Sequence, residues 1–270
     1  MRRKLGLVLF FVIAFGVPWI GWFWLRATTS LDHMFDSFAT YGFTAAPSLA
    51  GFAAAAVDDG VPGLTRFARR VFYVGFPAWI WPLALLLPLL AGAVTFIGHP
   101  ADLLRGGAPH WMRLVATVSW LNFFTGPLAE EFGWRGYLLD RLRLRFTPIV
   151  AGLIIGPIWA VWHLPLFYDS VFSEFRTAFL YLLWVTSLSV VLALVVARAR
   201  GAVLPSVLGH WAANATPLIF FALLPALPGE AQPGGLAFPI AMAVVAAGLA
   251  WLWRGVRWHP YGISTVAPVV

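Results

Sequence analysis

The sequence contains no cysteine and few charged side chains. Without cysteine the chain has no disulfides, no thiolate metal sites and no cysteine nucleophile. Charged residues make up 11% of the chain, well below the roughly 25% of a soluble globular domain. Hydrophobic residues make up 61%, and the mean hydropathy is +0.83. These values exclude a soluble domain and predict an integral membrane protein whose first partner is the lipid bilayer.

The basic charge of the chain does not point to nucleic acid. The net charge of +7 fits membrane loops that carry arginine on one side of the bilayer. The 15 tryptophans and 23 phenylalanines fit aromatic belts and lipid-facing surface. A stacking platform for bases would need polar grooves beside its aromatic residues, and the sequence offers none. We therefore expect no nucleic-acid partner.

Eight apolar segments are long enough, at about 20 residues each, to cross the ~30 Å hydrocarbon core of a bilayer. They are Leu5–Leu25, Tyr41–Val57, Tyr73–Gly98, Met112–Leu139, Pro148–Phe167, Phe175–Ala197, Val203–Leu224 and Leu236–Trp253. The first is longer than the core of a signal peptide, so we interpret it as a retained span. The sequence predicts an all-α protein, a polytopic membrane helical bundle of about eight transmembrane helices. We expect a single membrane domain over residues 1–270.

The loops between these segments carry their basic residues mainly on one side. With a cytoplasmic N-terminus, the inside set is Arg2, Arg3, Lys4, Arg66, Arg69, Arg70, Arg135, Arg141, Arg143, Arg145, Arg198, Arg200, Arg254 and Arg257. The outside set is Arg26, Arg105, Arg113 and Arg176. Because basic residues concentrate on the cytoplasmic side of membrane proteins, the bias predicts that both termini are cytoplasmic. The expected location is the plasma or inner membrane.

Two adjacent carboxylates, Glu130 and Glu131, lie near the end of the fourth apolar segment. A charged side chain in hydrocarbon costs a few kcal/mol, so such residues are functional candidates by default. Glu131 and Arg135 have the i,i+4 spacing of an ion pair along one helix face. Glu130 lies about 100° away round the helix, outside that pair. It is the candidate general base.

A histidine on the fifth segment is expected at the same depth as this base. Glu130 lies 16 residues before Phe146, and His163 lies 16 residues after Thr147. In an antiparallel hairpin, equal distances from the turn place two residues at equal depth. Trp159 precedes His163 by one helical turn and can wall the site beside it.

The seventh segment adds two polar side chains, His210 and Asn214, whose i,i+4 spacing places them on one helix face. Together they offer two hydrogen-bond donors to a developing oxyanion. The three segments therefore predict an active site inside the bundle.

The same residues are compatible with a metal. Glu130, His163 and His210 form a His/His/carboxylate set like that of a hydrolytic zinc site, although no His-Glu-x-x-His sequence is present. A zinc-bound water and a glutamate-activated water would use the same three side chains. The sequence leaves open whether zinc is a cofactor.

The ordered motifs resemble those of the CPBP intramembrane endopeptidases, the group of type II CAAX prenyl proteases and Abi proteins. The motifs are Glu-Glu-x-x-x-Arg at residues 130–135, aromatic-x-x-x-His at 159–163 and His-x-x-x-Asn at 210–214. The resemblance covers residues 129–216, from Ala129 to Thr216, and we refer to this stretch as the motif core. Trp159 departs from the family pattern, which often has phenylalanine there, so we expect a reshaped pocket wall.

The resemblance implies a protease of the glutamic or metallo-endopeptidase type. Glu130 would activate a water with help from His163, and His210 and Asn214 would hold the oxyanion. Glu131, Arg135 and Trp159 would hold these groups in place. The implied substrate is a membrane-associated peptide or protein, such as one with a lipidated C-terminal CAAX sequence. The alternative is a non-catalytic membrane regulator or scaffold with the same fold.

Overall fold

A computed structural model describes residues 2–30, 38–94, 120–223 and 237–258. Every regular element in these ranges is a helix. The helices are α1 (Arg2–Thr28), α2 (Phe38–Phe43), α3 (Ala46–Val71), α4 (Ile80–Val94), α5 (Pro127–Glu131), α6 (Leu139–Leu142), α7 (Pro148–Trp162), α8 (Leu164–Phe167), α9 (Phe175–Arg198), α10 (Leu204–Leu223) and α11 (Ala237–Leu252). Two wider π-helical stretches, Phe132–Leu138 and Tyr168–Phe172, follow α5 and α8. The all-α prediction is confirmed for the described part of the chain.

The expected count of eight spans is not reached among these residues. Arg3–Thr28 and Phe175–Arg198 are each long and apolar enough to cross a membrane. The pair Pro148–Trp162 and Leu164–Phe172, bent by 52°, gives a third span if it is counted as one. The described parts of the apolar helices α4 and α11 have 15 and 16 residues. α4 ends at Val94 and α11 begins at Ala237, each at the edge of a described range.

Helix α3 is bent where the sequence changes from apolar to basic. Asp59 and Gly60 have non-helical backbone angles, and Gly60 has a φ of 66°, a conformation that glycine adopts without the usual steric penalty. Beyond the bend, Arg70 pairs with Asp140 at 2.7 Å. Asp58, on the other side of the bend, accepts hydrogen bonds from Tyr137 at 2.8 Å and from Arg141. These contacts tie α3 to the segment that carries the first motif.

Close packing of α7 on α9 depends on two glycines one turn apart. A Cβ added at Gly152 would lie 2.6 Å from the Val190 Cα, and one at Gly156 would lie 2.5 Å from the Thr186 Cα. Small residues at this spacing let helix backbones approach closely inside membranes. Helix α9 is accordingly central, and its residues from Ser187 to Ala197 are buried. The pair α7–α9 fixes the position of the second motif.

The bend after α7 places His163 between two helices. Pro165 lies just beyond it, and a proline cannot donate a backbone N–H and clashes with the carbonyl four residues earlier. Helix α7 therefore ends at Trp162 and α8 starts at Leu164. The fifth apolar segment is thus not the single straight helix to Phe167 that hydropathy predicts.

Candidate active site

The four residues predicted to act on substrate line one cavity. Glu130, His163, His210 and Asn214 all face a cavity of about 640 Å³, and Trp159 forms part of its wall. Glu130, His163 and His210 are buried. Glu130 lies on α5, His163 is the residue after α7, and His210 lies on α10. The structure therefore brings the three motifs together, as the sequence reasoning expects.

The first motif starts on a short helix and continues as a π-helix. Pro127 opens α5, a position where its missing N–H is not needed. The π-helical stretch Phe132–Leu138 follows directly after Glu131, and such wide turns are frequent at functional sites. Gly133 lies so close to α3 that a Cβ there would be 2.3 Å from the Pro47 carbonyl oxygen. Packing against α3 thus holds the segment that presents Glu130.

One oxygen of Glu130 is held by Trp159. The indole Nε1 of Trp159 donates a hydrogen bond of 2.6 Å to Glu130 Oε2. The other oxygen, Oε1, lies near Gly126, where an added Cβ would be 3.8 Å from Oε1 and 3.5 Å from Asn214 Nδ2. Glu130 Oε1 and the Asn214 amide therefore flank the same glycine. This arrangement leaves one carboxylate oxygen for a reacting group.

The ring of His163 is fixed by a backbone carbonyl and two aromatic rings. Its Nδ1 lies 2.9 Å from the Trp159 carbonyl oxygen. A carbonyl can only accept, so Nδ1 carries a proton and the Nε2 of the neutral ring keeps its lone pair. The imidazole stacks on Phe167 at 5.4 Å between ring centroids and meets the Tyr181 ring at 5.8 Å. His163 can therefore accept a hydrogen bond within the cavity.

His210 is oriented by the second glutamate. Its Nδ1 lies 3.0 Å from Glu131 Oε1, the oxygen that also accepts a 2.7 Å hydrogen bond from Arg135. The Arg135 guanidinium lies over the Trp159 ring, 4.4 Å from its centroid. The predicted Glu131–Arg135 ion pair is present. Residue spacing did not predict that the same Glu131 oxygen also holds His210, because Glu131 and His210 lie on different helices.

Asn214 takes part in a contact that sequence reasoning did not assign to the site. Its Nδ2 donates a 3.0 Å hydrogen bond to Asn122 Oδ1. Asn122 and Tyr181 both line the cavity. A polar residue eight positions before Glu130 on the same apolar segment is the signal that could have identified Asn122. Tyr181 gives no comparable signal, because aromatic residues are common throughout the chain.

In the described part of the chain, the possible zinc set of Glu130, His163 and His210 is not gathered into a metal-binding cluster. Within the ranges that the structure describes, no three His, Asp or Glu side chains are grouped to hold a metal ion. The hydrogen bonds of Glu130, His163 and His210 involve Oε2 of the glutamate and both Nδ1 atoms, which leaves Oε1 and the two Nε2 atoms as the donors that a metal would use. A shared ion would have to rely on the remaining donor atoms alone. We therefore derive no step through a metal.

Comparison with known proteins identifies the same region of the chain. Residues 111–216 match the family model described as type II CAAX prenyl endopeptidase, Rce1-like. A segment of 39 residues is 44% identical to CAAX prenyl protease 2 of Methanococcus maripaludis and covers 14% of each chain. The match therefore spans only a small part of that relative's length. With the three ordered motifs, these matches show that residues 111–216 are similar to the CPBP/CAAX proteases. The apolar helices point to an integral membrane protein.

Proposed function

We propose that the protein is an intramembrane endopeptidase that hydrolyses a peptide bond with a glutamate-activated water. The observation that carries the proposal is the convergence of Glu130, His163, His210 and Asn214 on one cavity. Three separate helical segments bring acid, base and amide groups into apolar surroundings, where each is costly. A scaffold without chemistry has no need for this set.

In the proposed mechanism Glu130 is the general base. With Oε2 held by the Trp159 indole, Oε1 takes a proton from a water that also donates to His163 Nε2. The water oxygen forms a bond to the scissile carbonyl carbon, and the carbonyl oxygen becomes an oxyanion. When the C–N bond breaks, the proton held by Glu130 passes to the leaving amine. Such proton transfers contribute about 10²–10⁴-fold to the rate.

Asn214 and His210 are the proposed oxyanion donors. Asn214 Nδ2 has two hydrogens, of which one is donated to Asn122, so the second is available to the oxyanion. His210 donates from Nδ1 to the Glu131 carboxylate and can donate from Nε2 only when both ring nitrogens are protonated. The adjacent carboxylate stabilises that cationic form by direct charge attraction. Arg135 holds Glu131 in place and supports His210 indirectly.

The cavity favours an apolar substrate. Apart from the polar groups already named, its walls include Leu166, Phe167, Trp184, Leu188 and Phe238. A cavity of about 640 Å³ is within the range of ligand-sized sites, about 300–1,000 Å³. We therefore propose a membrane-associated peptide, with a prenylated C-terminal CAAX sequence as the first substrate to test. The relative named CAAX prenyl protease 2 supports that choice.

The proposed membrane arrangement is one domain of about eight spans with both termini in the cytoplasm. The distribution of basic residues supports this orientation.

The proposal is tested by hydrolysis in reconstituted vesicles. Purified protein is incubated with a C-terminal CAAX peptide in prenylated and unprenylated forms, and the released tripeptide is quantified by mass spectrometry. We expect release of the tripeptide, faster from the prenylated peptide, and a rate at least ~100-fold lower in His163→Gln. Equal rates for the wild type, the variant and empty vesicles would reject the enzyme. They would favour the non-catalytic regulator instead.

A further inference from the structure

A second cleft lies at the end of the bundle where the basic residues cluster, and none of its lining residues lines the active-site cavity. It has a volume of about 290 Å³ and is lined by Arg198, Leu252, Trp253, Gly255, Val256 and Arg257. Arg198 is the last residue of α9, and Trp253 directly follows the end of α11. Two cationic side chains and one aromatic ring therefore meet between the ends of two helices.

The arginines of this cleft differ from the other basic residues at this end of the bundle. At this end of the bundle Asp59 pairs with Arg66 and Asp140 pairs with Arg70. Among the described residues, no carboxylate pairs with Arg198 or Arg257. The Nε of Arg198 is buried and has no hydrogen-bond partner. A buried guanidinium nitrogen without a hydrogen-bond partner carries a free-energy cost. An anionic ligand with oxygen acceptors would offset that cost by pairing with the guanidinium group.

The cleft is also held in shape by its neighbours. The Arg198 guanidinium lies 4.6 Å from the centroid of the Trp253 ring, which in turn meets the Trp79 ring at 6.4 Å. The indole of Trp258 donates a 2.8 Å hydrogen bond to the Phe146 carbonyl, which anchors the segment after α11. The arginine is thus positioned before any ligand binds.

The surroundings of the cleft distinguish a lipid from a small anion. Trp251 and Leu252, next to the cleft, are 66% and 65% exposed. These apolar side chains would contact acyl chains and interfacial groups in a bilayer, whereas a free phosphate would make no use of them. Basic pockets between transmembrane helices on the cytoplasmic side are typical sites for anionic headgroups.

We propose that the cleft between α9 and the end of α11 binds the phosphodiester headgroup of an anionic phospholipid. Arg198 and Arg257 pair with the phosphate oxygens, and Trp251 and Leu252 lie against the upper part of the acyl chains. This site does not depend on the proposed peptidase activity. It predicts that the protein selects anionic over zwitterionic lipid from a mixed membrane.

The test measures the binding of labelled phosphatidylglycerol to the full chain in nanodiscs of phosphatidylcholine. Unlabelled phosphatidylglycerol should displace the label, and phosphatidylcholine or inorganic phosphate should not. Direct hydrogen bonds between a guanidinium group and a phosphate are worth about tenfold or more in affinity, so Arg198→Gln/Arg257→Gln should weaken binding by at least about tenfold. The matched control Arg3→Gln/Arg69→Gln removes two charges at other exposed positions and should change binding less than about twofold.

Each outcome decides the proposal. Equal weakening in the site variant and the control would show diffuse surface attraction, and displacement by phosphate would show a small-anion site; both overturn it. If the double variant does not fold, the single variant Arg257→Gln replaces it, because this side chain is exposed. That single change should weaken binding about tenfold, and an unchanged affinity would overturn the site.

Discussion

The hydrogen bond from Trp159 to Glu130 gives the sharpest prediction about the site. Trp159→Phe keeps an aromatic wall and a ring face for Arg135, but removes the indole N–H that donates to Glu130 Oε2 at 2.6 Å. A hydrogen bond to a charged group contributes about 1.5–3 kcal/mol. Each ~1.4 kcal/mol of lost transition-state stabilisation lowers the rate tenfold. If the whole contribution of this hydrogen bond is lost from the transition state, kcat falls about 10–150-fold.

The chain supplies a matched control one turn further along the same helix. Trp162 is also buried, and its Nε1 donates a 2.7 Å hydrogen bond to the Ala14 carbonyl. Trp162→Phe therefore removes an equivalent bond that does not involve Glu130. Both substitutions should lower stability by about 1–3 kcal/mol, because each leaves a buried acceptor unpaired. Only Trp159→Phe should lower kcat by more than about tenfold.

The assay combines thermal unfolding with steady-state hydrolysis of the same peptide in vesicles. We expect KM to change little in Trp159→Phe, because the lost bond orients the base and does not bind the substrate. Retention of kcat within about twofold would refute the proposed role of the indole. So would an equal loss of kcat in Trp162→Phe, since it would show a general packing effect on the helix.

Two further predictions concern packing and charge. Gly152→Ala should lower the unfolding temperature, because the added Cβ would lie 2.6 Å from the Val190 Cα on α9. The control is Gly248→Ala, where an added Cβ has nothing within 4 Å. This substitution should leave the unfolding temperature unchanged or raise it. A higher or equal unfolding temperature in Gly152→Ala would contradict the close helix contact. Arg135→Met should cost about 3–5 kcal/mol, because it leaves the buried Glu131 carboxylate without its cation. Adding Glu131→Gln should restore part of that loss in a double-mutant cycle, and a purely additive second loss would contradict the ion pair.

The sequence predicted which segments form the site because their polar residues interrupt long apolar runs. Glu130, His163 and His210 stand out against surroundings in which such groups are costly, and equal distance from the turn related the first two in depth. Glu130 and His163 line one cavity although the fifth segment bends at His163. The hairpin spacing remains applicable because α7 is helical from Pro148 to Trp162, up to the residue before His163.

Contacts between helices could not be predicted in the same way. Spacing along one helix identifies Glu131–Arg135, but it says nothing about His210 reaching the same oxygen from another helix. Hydropathy alone also does not determine the number of membrane spans. A run of 20 apolar residues can be bent, as at His163, or can begin as an irregular segment before its helix starts, as before Ile80.

Single-turnover hydrolysis by Glu130→Gln is the most direct measurement of the central claim. The amide is nearly isosteric and can still accept the Trp159 hydrogen bond, but it cannot take a proton from water. The rate of peptide-bond hydrolysis should fall about 10²–10⁴-fold, with unfolding temperature unchanged within a few degrees. Glu174→Gln, the same substitution at an exposed position before α9, should keep the wild-type rate. A Glu130→Gln protein that hydrolyses the peptide within about tenfold of the wild-type rate would contradict the role of this carboxylate as the base.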